Sequence, residues 1–259
     1  SEQIDDIAAV LVEPVQSRRP GFHPAEFMKQ LRVITEQSGA TLIFDEMITG
    51  FRILPGGAQA YYGIKADLAT YGKSAGGGLP LSVVAGSARF MDAVDGGSWR
   101  YGDDSRPQSE VIYFGGTYVK HPLALAAAKA SLDYIEHIGT RGYEKLNQRS
   151  KRMADTLNAW FAQESVPLNL SHFGSLFRID GTGRYSGIMQ PIELDLFFLL
   201  LNLRSIYVWE RRICFLSFAH TDAEIDRLIE CVKEAVLELR ATGFEFRSGR
   251  ASSSPLSQA

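Results

Sequence analysis

The stretch "LIFDEMITGFR", residues 42–52, decides the fold because an apolar run passes directly into two acidic residues, Asp45 and Glu46. Consecutive apolar positions in the strand predicted at residues 41–44 are typical of a parallel sheet that is covered on both faces. Such sheets bind their ligands beyond the carboxyl ends of the strands. We therefore predict that Asp45 lies where the domain carries out its chemistry.

The residues before this stretch predict a strand and a helix. "IAAVLVEP", residues 7–14, reads as a short buried strand, and "PAEFMKQLRVITEQSG", residues 24–39, as a helix with Pro24 in its first turn and Gly39 past its end. Its apolar stripe is predicted at Phe27, Leu31 and Ile34. A strand, a helix and a strand within the length of one crossover unit predict two parallel neighbours.

The rest of the chain divides into two kinds of sequence. The first kind predicts strands at residues 67–71 and 81–86 and helices at 122–138 and 141–164. The second kind predicts short strands at 175–180, 205–209 and 213–217 and a helix from 222. Thr221 and Glu224 form a capping box at the start of this last helix. We expect an α/β fold: a large, mainly parallel-sheet domain in residues 1–138, a small α+β domain in residues 139–245, and a Ser-rich linker or tail in residues 246–259.

Composition excludes several classes of function. The formal charge of -3 gives no basic surplus for nucleic acid. Cys214 and Cys231 have neither metal-ligand nor disulfide spacing, which predicts no metal site and a reducing, cytoplasmic location. The apolar run at residues 194–203 is much shorter than the roughly 20 residues of a membrane span, so a buried helix is expected there.

Asp45 and Lys73 are the residues best placed for chemistry. Lys73 follows a predicted strand and precedes three glycines, where the backbone can turn a long amine inward; a solvated lysine at a strand end is the alternative. Both residues are predicted at carboxyl ends of strands in one sheet. Pyridoxal phosphate (PLP) forms a Schiff base with a lysine and pairs its pyridinium nitrogen with an acid. The two residues together therefore predict a PLP site.

A second signal is the stretch "FGGTYVKHP", residues 114–122. Gly115, Gly116 and Thr117 offer backbone amides and a hydroxyl shortly before a predicted helix, an arrangement that binds phosphate. An ordinary glycine turn with Thr117 as the helix N-cap is the alternative.

Three motifs in this order, "LIFDEMITGFR", "DLATYGKSAGGGLP" and "GGTYVKHPLALAAA", resemble the class III aminotransferases of PLP fold type I, in particular the glutamate-1-semialdehyde aminomutase-like group. The resemblance covers about residues 7–240. It implies that Asp45 pairs with the pyridine nitrogen, that Met47 lies against the ring, and that Lys73 binds the cofactor covalently. It also implies a homodimer in which Gly116 and Thr117 reach the phosphate of the cofactor held mainly by the other subunit.

The stretch "SIYVWERRICFLSFAHTDAEID", residues 205–226, resembles aminotransferase domains of hybrid polyketide synthase and nonribosomal peptide synthetase assembly lines. Those domains use an amino acid donor to aminate a β-ketoacyl thioester bound to an acyl carrier protein. By this resemblance Glu210 is a substrate-side residue, with a surface acid as the alternative.

Other functions stay open at the level of sequence. A free-standing aminomutase or other class III aminotransferase is the nearest, and an inactive docking module is more distant. A dinucleotide-binding oxidoreductase is disfavoured because "AGGGLP" lacks the GxGxxG spacing. Complete members of the resembled family have a long amino-terminal segment with a Gly/Ser phosphate turn and a ring-stacking aromatic residue. We expect this chain to be a fragment without that segment, inactive alone and weak in binding the cofactor.

Overall fold

The computed structural model describes residues 6–187 and 191–248. The chain divides into two compact units. Of the described residues, the first unit comprises 6–17 and 22–143, and the second comprises 18–21, 144–187 and 191–248.

A four-stranded sheet forms the centre of the first unit. Its elements are β1 (Ala9–Val12), α1 (Ala25–Ser38), β2 (Thr41–Asp45), α2 (Gly57–Tyr62), β3 (Leu68–Gly72), β4 (Ser82–Gly86), α3 (Ala88–Asp95) and the start of α4 (Pro122–Gln163). The strands lie in the order β1-β2-β3-β4. The first three are parallel and β4 is antiparallel to β3. The predicted parallel pair is therefore confirmed.

The two predicted helices at residues 122–138 and 141–164 lie end to end as α4, which is interrupted at Gly139. Gly139 has φ 57° and ψ -174°, a conformation that only glycine adopts at low cost. The sequence break that separated the two predictions is thus a kink at one residue.

Helix α1 buries a different face from the predicted one. Phe27 and Ile34 are 55% and 54% exposed, whereas Met28 and Thr35 are buried. A threonine can occupy the buried face because its hydroxyl donates to the carbonyl oxygens of Leu31 and Arg32, at 2.9 Å and 3.0 Å. Pro24 precedes the helix as its N-cap, and Gly39 ends it with φ 72° as predicted.

The sheet is buried most completely at its centre. Leu42 and Phe44 of β2 are fully buried. Leu11 of β1 is 65% exposed, and every residue of β4 is exposed. The expectation of a sheet covered on both faces therefore holds best for β2 and β3, whose residues are all buried or half-buried, and fails for β1 and β4.

A three-stranded antiparallel sheet and two helices build the second unit. Its elements are β5 (Leu168–Phe173), β6 (Leu176–Gly181), α5 (Ile192–Leu203), β7 (Cys214–Phe215) and α6 (Asp222–Ala241), with strand order β5-β6-β7. Helix α5 contains the predicted buried helix and buries Leu194, Phe197, Phe198 and Leu201. The capping box of Thr221 and Glu224 is present at the start of α6.

One strand prediction in this unit is wrong, one is confirmed in a shorter form, and one strand was missed. Residues 206–209 form no regular element and the strand predicted at 213–217 shortens to β7. Ser205 has φ 61°, a left-handed conformation that a regular strand does not contain. Strand β5 was not predicted, although it pairs with β6 along its whole length.

The folded part of the second unit extends past the boundary predicted at residue 245. Phe246 is fully buried, and the Ser248 amide donates to the Ser165 carbonyl oxygen at 2.8 Å. The remainder of the predicted tail, residues 249–259, lies outside the described residues. In the described part of the chain, no helix has the length and apolarity needed to cross a membrane.

Candidate cofactor-binding site

Three parallel strands deliver polar residues to one edge of the first sheet. Glu13 follows β1, Asp45 ends β2 and Lys73 follows β3. The register pairs Val12 with Phe44 across β1 and β2, and Asp45 with Thr70 across β2 and β3. The strand order and register thus confirm the prediction that Asp45 and Lys73 lie at the ends of neighbouring strands.

The carboxylate of Asp45 is held by two hydrogen bonds on one oxygen. The Met47 amide donates to Oδ1 at 3.0 Å, and the Thr70 hydroxyl donates to the same atom at 3.1 Å. Within residues 6–187 and 191–248, Oδ2 has no recorded hydrogen-bond partner. One oxygen thus fixes the side chain while the other stays available to a ligand.

Lys73 lies at the start of a single 3-10 turn, residues Lys73–Gly76. Its φ of 44° lies in the left-handed region that non-glycine residues seldom occupy. The side chain is exposed, and no hydrogen bond or ion pair of Nζ is recorded in the part of the chain that the structure describes. After this turn, Gly77 packs so closely on α4 that an added Cβ would lie 2.7 Å from the Ala127 carbonyl oxygen. The glycine-rich stretch therefore fixes the turn by close backbone packing.

Met47 lies beside the lysine turn. A Cβ built on Gly72 would come within 2.5 Å of Met47 Cε, so the thioether end covers the backbone just before Lys73. The contact of Met47 with a cofactor ring stays a prediction.

Sequence reasoning treated Asp45 and Glu46 as a pair of acids and missed their different environments. Glu46 is 1% exposed and accepts hydrogen bonds from Thr49 Oγ1 at 2.6 Å, the Ala58 amide at 2.9 Å and the Gln59 amide at 2.8 Å. Burial raises the pKa of its carboxyl, and these hydrogen bonds oppose the rise. The alternation of strand side chains is the signal that separates the two acids, because neighbouring residues point to opposite faces.

Thr70 was also missed. It occupies the strand position paired with Asp45 and supplies the hydroxyl that fixes that carboxylate. Its location could be found only once the register between β2 and β3 was known.

Gly116 and Thr117 lie in an exposed turn before α4. The Val119 amide donates to the Gly116 carbonyl oxygen at 3.1 Å, which closes the turn. The alternative of Thr117 as the helix N-cap is wrong, because His121 Nδ1 accepts from the Ala124 amide at 3.4 Å in that position. Phosphate binding by Gly116 and Thr117 stays a prediction.

Glu210 belongs to the second unit. It follows Trp209 between α5 and β7 and is exposed. No ion pair of Glu210 is recorded among the described residues, and its role toward a substrate stays a prediction.

The residues of the first unit fit PLP. The Asp45 Oδ2 atom can accept a hydrogen bond from a ring N–H, and the Lys73 amine can reach an aldehyde without first leaving an ion pair. Both side chains project from the end of the sheet where ligands of parallel sheets bind. The donor set is thus the one that this cofactor requires.

Comparison with known proteins places the chain in a family. Residues 1–190 match the family model described as aminotransferase class-III. Glutamate-1-semialdehyde 2,1-aminomutase from Archaeoglobus fulgidus is 30% identical over 240 residues, covering 90% of this chain and 54% of the relative. The enzyme of the same name from Desulfitobacterium hafniense is 34% identical over 244 residues, covering 91% of this chain and 54% of the relative.

Solved structures agree with this assignment. A β-phenylalanine aminotransferase from Variovorax paradoxus has a TM-score of 0.77 and 30% identity, with 93% of this chain and 54% of that chain covered. An ω-transaminase from Sphaerobacter thermophilus has a TM-score of 0.77 and 26% identity, with 92% and 54% covered.

The matched family model covers well over half of the sequence, so the chain belongs to the class III aminotransferase family. Its fold is PLP fold type I, as predicted, and PLP is the cofactor that class III aminotransferases use. The chain spans about half the length of the curated relatives it matches. The relatives named here give no support to the assembly-line context predicted from residues 205–226.

Proposed function

We propose that this chain provides the lysine- and aspartate-bearing part of a PLP-dependent aminotransferase or aminomutase that acts on small amino and oxo compounds. The observation that carries the proposal is the arrangement of Asp45 and Lys73 at adjacent strand ends, with one carboxylate oxygen fixed and the other available. Membership of the class III family supports it.

Each residue has a defined task in this proposal. Bound PLP supplies an electron sink for the electrons left when a substrate carbon loses a proton. Asp45 Oδ2 would accept a hydrogen bond from the ring nitrogen and so favour its protonated form. Lys73 Nζ would hold the cofactor and would take a proton from the substrate carbon as a general base. Met47 shields the site from one side.

The other assignments from sequence are part of the same proposal. Gly116 and Thr117 bind the cofactor phosphate of a partner subunit in a homodimer, and Glu210 contacts the substrate. An amino acid is the amino donor. The first unit forms the cofactor-binding domain and the second unit the small domain. A reducing cytoplasm is the proposed location because Cys214 and Cys231 are free thiols.

Two substrate classes remain in competition. Free amino and oxo acids are favoured, because the named relatives are glutamate-1-semialdehyde aminomutases, a β-phenylalanine aminotransferase and an ω-transaminase. A carrier-bound β-ketoacyl thioester is the second candidate, and it rests on the sequence of residues 205–226 alone.

Covalent trapping tests the cofactor assignment. The chain is incubated with PLP, reduced with sodium borohydride and digested, and the labelled lysines are identified by mass spectrometry. We expect the label mainly on Lys73, its loss in Lys73→Ala, and its retention in Lys65→Ala, which removes another exposed lysine of the same unit. Equal labelling of all exposed lysines would contradict the proposal.

A second experiment tests the substrate class. The chain, extended by the amino-terminal segment of complete family members, is supplied with PLP, L-glutamate or L-alanine, and either a free 2-oxo acid or a β-ketoacyl thioester on an acyl carrier protein. Amination of the free acid favours the first candidate, and amination of the thioester alone favours the second. Lys73→Ala is the control for both.

A further inference from the structure

The inference concerns Glu46, whose buried carboxylate closes the loop between β2 and α2. Its three hydrogen bonds join Thr49, near the start of this loop, to Ala58 and Gln59, in the first turn of α2. The side chain therefore holds residues 46–59 as one closed structure. Nothing in the proposed chemistry uses this carboxylate directly.

Gln59 connects the closed loop to β3, the strand that directly precedes Lys73. Its Nε2 donates to the Tyr71 hydroxyl at 2.8 Å, and its Oε1 accepts from the Ala66 amide at 2.9 Å. Tyr71 lies on β3, two residues before Lys73. Both ends of the Gln59 amide are thus used to fix the approach to the lysine.

Gly50 gives a second connection between the loop and the lysine turn. Its amide donates to the Glu46 carbonyl oxygen at 2.8 Å, and its carbonyl oxygen accepts from Ser74 Oγ at 3.0 Å. The Tyr71 ring packs against Gly50 so closely that an added Cβ would lie 2.6 Å from Tyr71 Cδ1. Two routes therefore run from Glu46 to the residues on either side of Lys73.

We propose that Glu46 is a positioning residue that sets the direction of the Lys73 side chain relative to Asp45. Its carboxylate acts through Gln59 to Tyr71, and it closes the loop that contains Gly50, whose carbonyl oxygen accepts from Ser74. This inference rests on the proposed function, in which Lys73 binds PLP. Because Glu46 and Asp45 are consecutive, a single strand end fixes both the acid and, through the loop, the lysine.

The number of acceptor oxygens explains why a carboxylate suits this position. Three donors converge on Glu46, and an ionised carboxylate accepts from all of them, whereas an amide of the same shape offers only one acceptor oxygen. Glu46→Gln therefore leaves a backbone amide without a good acceptor and loosens the loop. Tyr71→Phe removes only the hydroxyl that receives Gln59, and leaves the Glu46 bonds intact.

The test compares the labelling of two lysines within one sample. PLP and borohydride are applied to the chain, and the rate of labelling at Lys73 is divided by the rate at Lys29, an exposed lysine of α1. For Glu46→Gln we expect this ratio to fall about tenfold, which corresponds to ~1.4 kcal/mol. Tyr71→Phe should lower it in the same direction by a smaller factor. The exposed residues Glu136 and Tyr101 supply the matched controls Glu136→Gln and Tyr101→Phe, which should leave it unchanged.

The outcomes separate the two hypotheses. A parent chain without preference for Lys73 contradicts the proposed function. A preference that persists unchanged in both variants overturns the positioning role while the proposed function stands. If Glu46→Gln loses its helical circular dichroism, Tyr71→Phe decides, and an unchanged ratio there overturns the inference.

Discussion

The thioether end of Met47 lies directly over the Cα of Gly72, at the last position of β3 before Lys73. A Cβ on Gly72 would lie 2.5 Å from Met47 Cε and 2.9 Å from the Leu81 carbonyl oxygen. The side chain could move aside, but the carbonyl oxygen belongs to the backbone. Position 72 therefore has no room for a side chain, and glycine is the residue that fits there.

Gly72→Ala should destabilise the first unit by about 1–3 kcal/mol, because the added methyl group overpacks this contact. Differential scanning calorimetry measures the loss as a lower melting temperature. Adding Met47→Ala should restore only part of it, since the Leu81 oxygen remains. Ser82→Ala, at the exposed position paired with Gly72, is the control. Full recovery in the double variant would contradict this account.

Thr70→Val should weaken PLP binding by about three- to tenfold, since one hydrogen bond of about 1 kcal/mol to Asp45 Oδ1 is lost. Fluorescence titration with PLP measures the dissociation constant. Thr70→Ser keeps the hydroxyl and should bind nearly as tightly as the parent. Equal binding by the valine and serine variants would show that this hydroxyl does not fix the carboxylate.

Tyr143 predicts how stability changes in alkaline solution. Its hydroxyl donates to the Phe51 carbonyl oxygen at 2.7 Å, and burial raises its pKa to about 12. In the unfolded chain the Tyr143 hydroxyl ionises near pH 10. The stability that this hydroxyl provides is therefore present below about pH 10 and is lost as the pH rises toward 12.

Tyr143→Phe should therefore lower the free energy of unfolding at pH 7 by about 1 kcal/mol. Between pH 10 and pH 12 the free energy of unfolding of the variant should fall less steeply than that of the parent. The difference between the two slopes should be about 1.4 kcal/mol for each pH unit. Urea unfolding at pH 7, 10 and 11 measures both effects. Tyr101→Phe, at a residue that is 97% exposed, should follow the parent curve, and parallel curves for Tyr143→Phe would refute the assignment.

Phe246→Ala should destabilise the second unit by about 3–5 kcal/mol, as expected for loss of a buried aromatic side chain. The Phe246 ring meets Tyr185 edge-on at 5.2 Å and stacks on Phe197 at 6.1 Å. Urea unfolding measures the change, and Leu203→Ala, at a residue that is 73% exposed, is the control. Similar effects of the two substitutions would show that Phe246 is not part of the core.

The parts of the fold with strong local signals were predictable from sequence. β1, α1, β2 and the capping box at Thr221 combine apolar pattern with clear start and stop residues. The placement of Asp45 and Lys73 at one edge of the sheet was predictable because the carboxyl ends of parallel strands meet there. These inferences need only the type of each element and its direction.

The parts that depend on packing partners were not predictable. The buried face of α1 contains Thr35, whose hydroxyl is satisfied inside the helix and so leaves no trace in a count of apolar residues. The role of Glu46 depends on amides 12 and 13 residues further along the chain. Residues 206–209 have the composition of a strand and lack the ladder that would make them one.

The backbone of Lys73 carries a further implication. A left-handed φ costs a non-glycine residue of order 1 kcal/mol, and glycine adopts it freely. Glycine at position 73 would therefore relax this turn and remove the amine. Under the proposed function, the amine at this position therefore comes with a backbone strain that glycine would not have.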